Sequence, residues 1–194
     1  MTTTTMHRAG TRPEVTADER RLPSGARAAL AALRLSLGWV FLWAFLDKLL
    51  ALGFATGRDA ETGVVDRFGD AAWVNGGSPT KGFLSFGTSG PFADLFGSFA
   101  GAAWADWLFM VGLVGIGTAL MLGIGMRLAT VGGSLLLVLM WAAHLPPDNN
   151  PFMDDHLVYA IALFALLALG AGRFAGLGEW WESRSLVRRY PWLR

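Results

Sequence analysis

The sequence predicts an all-α integral membrane protein: a four-helix bundle with both termini cytoplasmic and a structured outer loop between the first two helices. Three observations carry that expectation. Of the 194 residues, 53% are hydrophobic and only 16% charged, against about a quarter charged in ordinary soluble domains. Polar groups are therefore too few to clothe a globular surface. Four apolar runs each approach the roughly 20 residues that cross about 30 Å of hydrocarbon. The basic residues also cluster in alternate connections, the pattern left by chain retained on the cytoplasmic side.

Residues 1–27 read as a disordered cytoplasmic tail. They hold a Thr run and mixed charges without apolar periodicity, and no apolar core with a small-residue cleavage site follows. The transmembrane domain is expected over 28–178, with spans at about 28–53, 104–124, 127–145 and 152–172, and a basic cytoplasmic tail over 179–194. The second and third spans are separated only by Gly123 to Arg127, which must be a tight turn between antiparallel helices. Arg8, Arg12, Arg20, Arg21 and Arg27, then Arg127, then Arg173, Arg184, Arg188, Arg189 and Arg194 mark the inner side. The two other connections carry Asp59, Glu61, Asp66, Asp70, Asp94, Asp148, Asp154 and Asp155 against Arg58, Arg67 and Lys81, so they face outward.

The outer loop, 55–103, is too long for a simple turn and should have structure of its own. Phe92, Leu95, Phe96 and Phe99 recur at helical spacing after Ser89 and Pro91, with Asp94 near the start. This reads as an amphipathic helix on the membrane surface or capping the bundle. Trp73 to Leu84, WVNGGSPTKGFL, is a Gly and Pro turn region with aromatic ends. Gly112, Gly115, Gly117, Ala119, Gly123, Gly132 and Gly133 suggest close approach of the second and third helices through small faces.

Two charges sit at membrane depth in the first span, Arg34 roughly 9 Å from one end and Asp47 roughly 10 Å from the other. Arg34, near a basic end, is expected to snorkel to headgroups. Asp47 and Lys48 suit either a tie between helix ends or a functional site. The topology gathers further polar groups at the same outer end: Asp106, His144, Asp154, Asp155 and His156, with Trp104, Trp107, Trp141 and Tyr159 around them.

Each of these has an ordinary reading. Asn150 can cap the fourth helix with Pro151 in its first position, the acids complement the helix dipole, and the tryptophans suit an interfacial belt. Their convergence inside apolar and aromatic walls is nonetheless the setting of a ligand pocket. His144, Asp155 and His156 are the candidate catalytic groups, moving protons or donating hydrogen bonds. Trp107, Trp141, Tyr159, Asp47, Lys48 and Asp106 are the candidate cofactor-binding residues. A quinone headgroup needs a flat apolar slot, donors at its two carbonyl oxygens and a proton supply, all of which this set offers. No metal-ligand spacing or haem motif is present, so no metal is assigned and haem is disfavoured. With no Cys, iron–sulfur clusters, disulfides and thiol relays are excluded. The balance of 16 basic and 15 acidic residues is no nucleic-acid signature.

At these residues the sequence resembles the DoxX/DoxD-like family of small four-helix membrane proteins. The resemblance rests on RLSLGWVFLWAFLDKL (Arg34 to Leu49), WVNGGSPTKGFL (Trp73 to Leu84) and NPFMDDHLVYAIALFALLALGAGRFAGLGEWW (Asn150 to Trp181). The last, with its Asp-His start and Gly-Arg exit, is the most specific. The Trp73 to Leu84 loop leans toward the branch that forms the membrane subunit of thiosulfate:quinone oxidoreductase. The resemblance implies quinone-linked redox chemistry in the bacterial cell (plasma) membrane. It also implies either an oxidoreductase or a noncatalytic accessory subunit docked to membrane or extracytoplasmic oxidoreductase partners. Without Cys, thiosulfate would bind noncovalently, near Lys48 or Arg58 or on another subunit.

Overall fold

The computed structural model describes residues 22–148 and 150–194. Residues 1–21 of the expected tail, with four of the five arginines that orient it, lie outside them. The described residues are all-helical, with two isolated backbone bridges and no strand. α1 spans Ser24–Leu50, beginning earlier than the expected residue 28, immediately after Pro23. In the following loop, α2 spans Lys81–Phe86 and α3 Ala93–Gly97. The remaining long helices are α4 (Ala103–Leu122), α5 (Met126–Ala143) and α6 (Asp155–Ala168). Two short helices, α7 (Gly178–Glu182) and α8 (Ser185–Arg189), close the chain.

α1, α4 and α5 are long and apolar enough to cross a membrane; α6 is equally apolar but has only 14 residues. Their outward faces are apolar: Leu33, Trp39, Trp107, Val131, Val138, Val158, Ile161 and Phe164 are all exposed. A patch of that extent belongs in lipid. The chain is a membrane protein on this ground as well as on composition.

α1 packs along α4, α4 along α5, and α5 along α6, which also touches α1. Leu37, Phe41, Met110, Leu113, Ile116, Leu120, Leu137, Leu163 and Leu166 form the core between them. The glycines act only in part where the sequence suggested. A Cβ on Gly117 would stand 2.7 Å from Leu42 of α1, one on Gly38 of α1 would stand 3.0 Å from the Met121 amide, and one on Gly133 would meet Leu163 of α6 at 2.9 Å. Close approach therefore joins α1 to α4 and α5 to α6, and at Gly133 also α5 to α4, where the same Cβ would stand 3.2 Å from Ile116. Gly112 and Gly115 have nothing within 4 Å of a Cβ, and Gly132 only the tip of Ile116, so α4 and α5 stand apart along these positions. Small residues at a given spacing name a face, and only the packing decides which neighbour it meets.

Arg34 does not snorkel. It is fully buried, and its guanidinium donates to the carbonyls of Leu120 and Met121 in the last turn of α4 and of Phe174 and Ala175 beyond α6. Those carbonyls at the end of α4 carry its negative dipole end, and that of Leu120 is otherwise met only by the capping Gly123 amide at 3.2 Å, so they suit a cation. Gly123 and Gly176 let the chain segments cross this closely, since a Cβ on either would fall within 3.2 Å of the guanidinium. The turn between α4 and α5 is as tight as expected, with Gly123 and Gly125 both in the left-handed region.

At the opposite end the loop is pinned by carboxylates. Asp47, also buried, accepts from the amides of Phe54 (3.1 Å) and Ala55 (2.9 Å). Asp106 accepts from the Ser78 hydroxyl and from both the amide and hydroxyl of Thr80. The segment expected as one amphipathic helix is a single turn at Gly90–Phe92 running into the five residues of α3. The Ser98 hydroxyl bonds back to the Leu95 carbonyl, consistent with the helix ending there.

Candidate functional site

The separation of α4 from α5 opens a groove of about 1380 Å³ running from Trp104 and the outer loop toward Gly125. All four long helices contribute to it. α4 and α5 supply Gly112, Gly115, Ile116, Gly132 and Leu136; α1 supplies Phe41, Ala44 and Lys48; α6 supplies Asp155, His156 and Tyr159. Phe83, Leu84, Phe96 and Phe99 of the outer loop wall its upper part. The groove is apolar along most of its length, and its titratable groups lie at the loop end.

That polar end follows from the helix directions. α1 runs toward the outer loop and α6 away from it, so Lys48 near the end of one and Asp155 and His156 at the start of the other border the same groove. Asp154 is the N-cap of α6, its Oδ1 accepting from the Leu157 amide at 3.1 Å while Oδ2 lies 2.7 Å from His156 Nδ1. This carboxylate fixes the imidazole orientation and leaves Nε2 as the nitrogen available to a ligand. Asp155 lies 3.4 Å from the same Nδ1 and is exposed. Tyr159 follows His156 on an adjoining helix face. The Lys48 ammonium lies 5.9 Å from the centre of the Phe109 ring.

Asn150, the cap suggested by the sequence, instead accepts from the Phe152 and Met153 amides in a turn before the helix. The helix consequently starts at Asp155 rather than near residue 152. The sequence places Asp154 in the polar cluster as a helix-end acid but not among the site residues. Its spacing of two from His156, at the start of an apolar run, is the signal that could have marked it as the imidazole's partner.

The other candidates lie apart from the groove lining. Asp47 and Asp106 are engaged by the loop amides and hydroxyls described above. His144 follows α5 as its C-cap and faces the loop, with Nδ1 donating to the Gly87 carbonyl at 3.0 Å and Nε2 3.4 Å from Asp148. The Gly87 carbonyl foremost, then Asp148, hold its imidazole above the ordinary histidine range. Trp107 is exposed and packs edge-on against Trp73, 4.7 Å between ring centres. Trp141 donates its indole N–H to the Phe152 carbonyl and packs edge-on against that ring. Of the nine candidate residues, the groove thus brings together Lys48, Asp155, His156 and Tyr159.

The groove itself was not anticipated, because its glycines were read as packing. Thr80 and Ser78, which line its mouth, carried no spacing signal and depend on Asp106 from elsewhere in the chain.

Potential ligand atoms of Asp154, Asp155 and His156 lie within 4.8 Å of one another, close enough to converge on a cation. Asp154, however, already uses both oxygens, one in capping α6 and one on the imidazole. The arrangement is explained by helix capping and imidazole orientation, and an apolar molecule with polar oxygens matches the groove better than an ion does. Compared with family models, curated proteins and solved structures, the chain matches none.

Proposed function

We propose that the chain is a four-span bundle of the bacterial plasma membrane, with both termini cytoplasmic, that binds a lipid-soluble quinone in the groove between α4 and α5. One observation carries the reading: an apolar groove bordered by all four long helices ends at an imidazole whose Nδ1 is held by a carboxylate. The apolar length suits an isoprenoid tail, and Lys48, Tyr159 and His156 supply donors for two carbonyl oxygens. The His156–Asp154 pair holds a proton at Nε2 when the imidazole is charged and can pass it to a bound oxygen. Asp155, exposed beside it, links the pair to water. A bound quinone supplies the capacity to take up two electrons and two protons. The donor implied by the resemblance is thiosulfate, its electrons arriving by noncovalent contact or through a partner subunit.

The test is purified full chain in lipid, assayed for quinone binding and for thiosulfate-dependent quinone reduction. His156→Ala should lower reduction by on the order of 10² to 10⁴, the range of a lost general acid–base group. Absence of quinone binding in the unaltered protein overturns the reading.

A second reading, an accessory subunit, is favoured by the outer loop, where Phe54, Phe68, Val74, Phe86 and Leu95 are exposed. Rings such as these fit the core of a partner interface. Affinity purification from native membranes discriminates: a protein recovered alone, loaded with quinone and active, rules it out.

A further inference from the structure

The segment following α6, of which 179–194 was expected as a basic tail, is a built element fastened to the turn between α4 and α5. The Leu177 amide donates to the Leu122 carbonyl at the end of α4 (2.8 Å). At the start of α5 the Arg127 amide donates to the Arg194 carbonyl (2.7 Å) and its guanidinium to the Pro191 carbonyl (2.9 Å). The Trp181 indole closes the segment on itself through the Leu193 carbonyl (2.7 Å), and Val187 is completely buried beneath it. Because α4 and α5 turn here, these bonds hold the segment where the hydrocarbon ends.

Its outer surface joins two kinds of side chain. Trp180, Leu186, Tyr190 and Trp192 are exposed, and so are Arg184, Arg188 and Arg189. Arg184 stacks 4.0 Å from the Trp180 ring centre and Arg189 lies 5.5 Å from that of Tyr190. Glu182 is engaged by Arg173. Among the described residues, no carboxylate lies within ion-pair distance of Arg184, Arg188 or Arg189, and none of these guanidiniums makes a side-chain hydrogen bond.

We propose that this face binds anionic phospholipid headgroups, its rings at headgroup level and its three free guanidiniums on the phosphates. Trp and Tyr carry an apolar body and a polar edge suited to that depth, and the planar guanidinium matches phosphate oxygens in pairs. Fixed at the membrane boundary, a surface with this charge meets lipid phosphate first. The proposal rests on the membrane reading and is independent of the quinone site.

The experiment uses full-length protein in neutral detergent micelles, titrated with phosphatidylglycerol or phosphatidylcholine, with retained lipid read by native mass spectrometry and the thermal midpoint followed in parallel. Phosphatidylglycerol should be retained and raise the midpoint, while phosphatidylcholine and inorganic phosphate do neither. Each basic residue near an anionic surface contributes roughly fivefold in partitioning. The variant R184Q/R188Q/R189Q should therefore lower phosphatidylglycerol affinity by on the order of a hundredfold at low salt, and R188Q/R189Q by on the order of twentyfold. Equal retention of both lipids, an unchanged response in both variants, or the same midpoint rise from inorganic phosphate or an RNA oligomer would overturn the proposal. Quinone binding is followed in the same samples, so failure of one reading leaves the other standing.

Discussion

At one end of the long helices a buried cation, Arg34, is surrounded by carbonyls from two chain segments. At the other, two buried carboxylates, Asp47 and Asp106, are surrounded by amides and hydroxyls of one loop. Neither end pairs its buried charges with each other. The backbone supplies the counter-dipoles in both places, but the Arg34 end closes on itself while the loop end leaves Lys48, Asp155, His156 and Tyr159 lining a groove. Charge in this chain is committed first to fixing backbone, and the candidate site is made from what remains.

The comparison breaks most sharply at Arg34. Arg34→Met removes the donors to four carbonyls and should cost on the order of 3–5 kcal/mol, read as unfolding in detergent titrated with denaturant. Arg34→Lys should recover only part, because an ammonium cannot span the same acceptors. A loss below about 1 kcal/mol would show that water reaches this end.

Asp106→Ala leaves Ser78 and Thr80 without their acceptor and should cost about 1–3 kcal/mol. The loss should be confined to the loop: hydrogen exchange should rise over 76–86 while α4 and α5 keep their protection. Spread of the exchange into α1 would mean that the loop end is a structural keystone too, and the contrast between the ends would fail.

The glycines sharpen the contrast along the helices. Gly117→Ala drives a methyl into Leu42 and should destabilise by roughly 1–3 kcal/mol. Gly115→Ala, facing open groove, should stay within about 1 kcal/mol of the unaltered protein. Gly115→Leu should likewise fold, yet reduce quinone binding because the side chain occupies the groove. Equal melting losses in Gly117→Ala and Gly115→Ala would show that α4 and α5 close on one another.

The smallest effect belongs to His144, whose side chain is 42% exposed. Its pKa is raised in the fold, so its contribution is fully present below the unfolded value of about 6.5 and disappears as pH rises through the higher folded value. A shallow fall in thermal midpoint through that window should vanish in His144→Gln. If it persists, another group is responsible.

Much of the architecture is legible because apolar length is a local property: three helices of spanning length, their order and the tight turn at Gly123 to Arg127 follow from composition alone. The polar end follows from antiparallel helices that bring Lys48 and His156 to the same groove. Arg34 does not follow. Snorkelling and burial share one position along α1 and differ in azimuth and in acceptors 86 to 141 residues away, for which there is no local signal. The groove is hidden for a related reason, since glycine favours close packing and also permits a gap. The start of α6 depended on a contest between Asn150 and Asp154 as caps, decided by which carboxyl or amide the apolar run can reach.

The shortness of α6 has a consequence for the membrane rather than for the protein. As a spanning element its 14 residues cover about 21 Å, against a hydrocarbon slab of about 30 Å. If α6 spans as proposed, local thinning of the leaflets around the helix would relieve the mismatch. Such a dimple would bring headgroups and water down to the first turn of α6, giving His156 in the proposed site a route for proton exchange without a channel through the protein.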